Sequence, residues 1–123
     1  MTQEDKALLL KDLCGRLPYG VKGKSVIINP DTNERRLYGI DVFESISVMM
    51  IEGGEEEFTP YLFPLSSMTE KQKNEYQYIT ERWMYDSSYS ISDSTDWLNK
   101  YHFDYRGLIE KGLAIDATGL NIY

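Results

Sequence analysis

The hydrophobic period changes twice along this chain, and that limits its fold more than any other feature. Near the N-terminus, Leu9, Leu10, Leu13, Cys14 and Leu17 recur at helical spacing. Between about residues 19 and 51 the pattern is that of strands. "KSVIIN" (24–29) is rich in β-branched residues and stops at the turn-forming "NPDTNE", while "RRLYGIDVF" (35–43) and "SISVMMI" (45–51) alternate. Helical spacing returns in Gln72, Tyr76, Ile79 and Trp83, and again in Trp97, Leu98 and Tyr101. This order predicts an α+β fold: a small, mostly antiparallel sheet from the N-terminal half, packed by an N-terminal helix and by C-terminal helices. With 123 residues, 41% of them hydrophobic, one domain over 1–123 is expected.

Local signals sharpen the boundaries. Thr2 and Asp5 form an approximate capping box, Gly15 is expected to end the first helix, and Pro18 prevents it from continuing. Cys14 then falls on or near the buried stripe, as a structural thiol. Strand 35–43, with Tyr38, Ile40 and Val42 on one face, is expected to form a hairpin with 45–51, and Gly53-Gly54 to close the sheet region. "FTPYLFPLSSMT" (58–69), with two prolines, reads as an extended connector on the core. Thr69 and Gln72 cap a helix expected to reach about Met84. The serine-rich segment 85–95 reads as a loop, before a short helix capped by Asp93.

In "HFDYRGLIEKGLAID" (102–116), Asp104 is a suitable N-cap for a short helix over Tyr105–Lys111. Gly112 sits where a left-handed residue must close it, with Leu108 meeting Leu113 and "LAID" returning as a strand. "PYLFPLSSMTEKQKNEY" (60–76), and above all "WLNKYHFDYRGLIEKGLAID" (97–116), resemble a family of small uncharacterised proteins frequent in gut anaerobic bacteria, their prophages and related mobile elements. That resemblance implies a genomic setting and carries no assigned activity or catalytic residue.

The charge balance narrows function. Twenty acidic residues against 13 basic ones give a net charge of −7, which opposes nucleic-acid backbones and anionic membranes. "GKS" at 23–25 has Pro18 where a phosphate loop needs its first glycine, and "DSSYSISDS" has neither the glycine nor the glutamate of a calcium loop. His102 is the only histidine and Cys14 the only cysteine, so a multi-histidine or cysteine-based metal site is not expected, nor is a cofactor. "MTQEDK" lacks signal-peptide form and "VMMI" is too short to cross a bilayer; a reducing, cytoplasmic compartment is the expectation.

Three functional readings remain. The first is a non-enzymatic protein-binding module, an adaptor or inhibitor, using Tyr61, Tyr85, Tyr89, Tyr101 and Tyr123 as interface anchors. The second is a binder of a small anionic ligand such as a nucleotide, using Arg35, Arg36 and Tyr38. The third is a small hydrolase centred on His102, with Asp104 or a distant carboxylate orienting the imidazole. The protein-binding reading is preferred, with a protein partner and neither nucleic acid nor membrane.

Overall fold

The computed structural model describes residues 2–82 and 91–123. The chain is a mixed α+β fold in which N- and C-terminal helices pack a mostly antiparallel sheet. Helix α1 spans Gln3–Arg16, strands β1 and β2 span Lys22–Ile28 and Arg35–Val42, and α2 spans Ser45–Glu52. Strand β3 (Glu56–Pro64) leads to α3 (Glu70–Arg82), and α4 (Ile91–Lys100) precedes two short strands, β4 (Phe103–Asp104) and β5 (Ile115–Asp116). Among the described residues, no helix is long and apolar enough to cross a membrane.

β1 lies between β2 and β3, antiparallel to both. Beyond its ladder with β1, β3 takes two later partners: Tyr61 and Leu62 pair parallel with β5, then Phe63 and Pro64 pair parallel with β4. The two prolines of β3 sit where this register allows them. Pro60 is the last residue of the ladder with β1, and Pro64 the last of the ladder with β4, so neither removes an N–H from mid-ladder. The segment expected to be a connector is therefore the strand that joins the two halves of the sheet.

The expected strand over 45–51 is helix α2. Ser47 and Ile51, one turn apart, are the buried residues, and Val48 packs against the core beside them. An apolar run this short satisfies a period of two and a helical stripe alike, and the core contact of Ile51 selects the helix. The hairpin accordingly forms between β1 and β2, across the "NPDTNE" turn. It carries a bulge: Ser25 faces Gly39 and Val26 faces Leu37, leaving Tyr38 as the extra residue. Gly23 is inside β1. A Cβ there would stand 2.4 Å from the Phe58 ring, so the aromatic ring requires the glycine.

Thr2 caps α1 by accepting from the Asp5 N–H at 3.0 Å. Gly15 does not end this helix, which continues to Arg16 and a 3-10 turn before Gly20, at φ +67°, reverses the chain. Its buried face is Leu9, Asp12, Leu13 and Arg16; Cys14, one position round from Leu13, is exposed and not on the buried stripe. The capping box at Thr69 and Gln72 is reciprocal, at 2.9 and 3.1 Å. The expected extension of α3 to Met84 lies outside the described residues. α4 begins at Ile91, which places Asp93 inside its first turn and not at its cap.

One core gathers Leu9 and Leu13 of α1 with Phe43, Ile51, Phe58 and Leu62. A second, aromatic cluster sets Trp97, Leu98 and Phe103 against α3. Between them lies a buried ionic group. Arg16 and Asp12, both with fully buried side chains, pair at 2.7 Å; Arg16 Nη2 donates to the Phe103 carbonyl at 2.6 Å, and Arg106 Nε donates to Asp12 at 3.1 Å.

The 105–111 segment is a series of turns and not a regular helix. Asp104 still caps it, accepting from the N–H groups of Leu108 and Ile109, each at 3.0 Å. Gly112 has φ +74°, and the Leu113 N–H donates to the Leu108 carbonyl at 2.9 Å, so the expected closure holds without the helix.

Candidate functional site

Two surfaces stand out, and they differ in chemistry. The first is the outer face of β2 and α2. β2 is an edge strand, and every residue in it is exposed except Gly39, which is half-buried. Tyr38 is 69% exposed and Met49 74%; Leu37, Ile40, Val42 and Ile46 are exposed with them. Exposed apolar residues scattered singly need no explanation, but these share one edge and the helix that follows it. Tyr38, Val42, Ile46 and Met50 also wall a hollow of about 210 Å³ together with Asp41, Glu44 and Glu56. Glu56 is buried in its floor and accepts from the Ser25 hydroxyl at 2.7 Å. Among the described residues, three carboxylates and no basic group line the hollow, so it suits a cationic side chain with an aliphatic stem.

Of the residues expected to bind an anion, Arg36 and Tyr38 share an open hollow with Ile27 and Leu37. Arg35 is not among its walls. Its guanidinium is bidentate to Glu57, whose carboxylate raises the arginine pKa through the hydrogen bond and its charge. The structure does not bring the two arginines together.

The second surface is a cleft of about 450 Å³ at His102, walled by the rings of Phe63, Tyr101, Phe103 and Tyr123 and by Lys100. It forms where the chain leaves α4. His102 takes φ +63°, turning the backbone so that its carbonyl accepts from the Phe63 N–H at 2.8 Å and β4 can join β3. The imidazole stacks on Tyr123, with ring centroids 3.7 Å apart and planes 11° from parallel. The Tyr123 hydroxyl accepts from the Lys22 N–H at 2.9 Å and donates to the Tyr61 carbonyl at 2.7 Å, which fixes this ring against β1 and β3. Burial pushes that phenol up to about 12. Burial, helped by the charges of Arg16 and Lys22, lowers His102 to about 4, so the imidazole is neutral at pH 7.

Among the described residues, the side chains around His102 are engaged elsewhere. His102 Nδ1 is buried without a hydrogen-bond partner, so no carboxylate orients the ring. The Asp104 carboxylate is committed to backbone N–H groups. Ser67 lines the same cleft, but its hydroxyl donates to the Pro64 carbonyl at 2.6 Å. Among the described residues, no group of three His, Cys, Asp or Glu side chains could hold a metal ion.

The expected interface tyrosines separate. Tyr61 is buried under the sheet, and Tyr101 and Tyr123 line the cleft. Tyr85 and Tyr89 lie outside the described residues. The exposed residues of β2 and α2 were not expected as an interface, although the apolar alternation of 38, 40 and 42 was visible; nothing in the sequence said that this strand would be left at an edge. No protein-family model matches the chain, and no significant match is found among curated proteins or solved structures.

Proposed function

We propose that this protein is a protein-binding module whose contact surface is the face of β2 and α2. Its occupant is an extended polypeptide segment that adds to the free edge of β2, carries apolar side chains and inserts one Lys or Arg into the hollow over Glu56. The observation that carries the reading is an edge strand with exposed apolar side chains beside an acidic hollow that it shares with α2. Strand addition supplies main-chain hydrogen bonds, and the hollow supplies side-chain selection. The acidity of the whole chain, net −7, favours such a cation-bearing partner over a polyanion.

Capture from a lysate of the host, with wild-type and Ile46→Asp baits, tests this. A protein retained by the first bait and lost by the second is expected, with amide exchange slowed across residues 35–42 in the complex. Asp41→Asn with Glu44→Gln should weaken capture by removing the attraction for the cation. Identical retention by all baits, or protection confined to other elements, overturns the reading. Sedimentation of the pure chain separates self-association: a dimer that Ile46→Asp dissociates would make a second copy the occupant.

A further inference from the structure

The cleft at His102 is independent of that face, and the protein-binding reading does not use it. We propose that it binds a small molecule built from a planar ring and one anionic group.

The ring requirement comes from the walls. Phe63, Tyr101 and Tyr123 contribute rings that are not fully buried, and the imidazole of His102 is already stacked on one of them. Planar ligands gain by stacking on such faces, whatever their substituents. Tyr101 is only half-buried, and Tyr123 is 42% exposed, so both rings are partly open. They are also held in place before any ligand arrives, Tyr123 by its hydroxyl and Tyr101 by contact with Trp97, with ring centroids 4.8 Å apart.

The charge requirement comes from what the walls leave out. The chain has 20 acidic residues, yet among the described residues no acidic side chain lines the cleft, and Lys100 puts a positive charge in its wall. On a protein of net charge −7, a concave site with a lysine and, among the described residues, no acidic side chain selects anions locally. Gln72, Ser67 and Thr118 add polar groups around the rings. The volume of about 450 Å³ is within the usual range for small-molecule sites and suits a single ring system with a short acidic arm. A carboxylate and a phosphate satisfy this chemistry equally, and the test distinguishes them.

Because His102 is the only histidine, its imidazole gives one unambiguous NMR signal beside the cleft. Indole-3-acetate with its neutral amide, and adenosine monophosphate with adenosine, are titrated while that signal is followed. Saturable shifts are expected with at least one anion, with its neutral counterpart about fivefold weaker. Lys100→Gln, with its shifts read against its own unbound spectrum, should close that gap. A response to only one pair identifies the acidic group. The proposal is overturned if neither anion shifts the signal saturably up to about 10 mM, if neutral analogues bind as well, or if the gap survives in Lys100→Gln.

Discussion

The two ends of the sheet are built by different means. At the β3 end, polar side chains reach across long stretches of sequence to satisfy backbone groups: Arg16 on the Phe103 carbonyl, Tyr123 on the Tyr61 carbonyl, Asp104 on its own following turn. At the β2 end the side chains mostly face water, and the ion pair of Arg35 with Glu57 is exposed. The comparison teaches where this protein tolerates change. Removing one partner from a buried polar group strands the other without water, whereas the outer face of β2 loses nothing on folding that water cannot restore.

Asp12→Ala should break the contrast most severely. It leaves Arg16 buried without its carboxylate, and a loss of about 3–5 kcal/mol in urea denaturation is expected, enough to unfold a marginal domain. Little change would mean that water enters beside Arg16. Asp104→Ala comes next, at about 1–3 kcal/mol, because it frees the N–H groups of Leu108 and Ile109 in a buried turn.

His102 sharpens the comparison through pH. Its pKa falls from 6.5 to about 4 in the folded protein, so the unfolded chain takes up the proton first. This contribution is intact above pH 6.5, drains away as pH falls towards 4, and is absent below that. On the order of 1–2 kcal/mol should separate wild type from His102→Gln across that window, allowing for solvent screening. The imidazole NMR titration checks it directly; a midpoint near 6.5 would show a ring open to water. Ile46→Asp should be the mildest, below about 0.5 kcal/mol in stability, although it removes partner capture.

The outline of the fold was legible in the sequence, and so were the features with strictly local causes. The Thr69–Gln72 box and the left-handed Gly112 need only residues a few positions away. What escaped depends on distant contacts. α2 is a helix because Ile51 meets the core, and β3 is a strand because its prolines coincide with ladder ends. Asp12 and Arg16 stand at i, i+4 on α1, and only the arrival of Phe103 and Arg106 makes their stripe an interior one. The cleft is least legible of all, since Tyr123 meets His102 only after β3, β4 and β5 have assembled.

The late partners of β3 also set an order of events. Residues 61–64 exist in the growing chain well before the segments that cover them, because β4 and β5 follow both later helices. The β1–β2 hairpin closes through a local turn, so it can form early, while β3 waits with one edge open and its aromatic residues beside it. An open, apolar strand edge is the usual nucleus of misassembly. Here the waiting strand carries Pro60 and Pro64, which cannot donate to an intruding strand. The prolines that first suggested a connector thus act as guards, keeping the edge unattractive to neighbouring chains until its own partners are made.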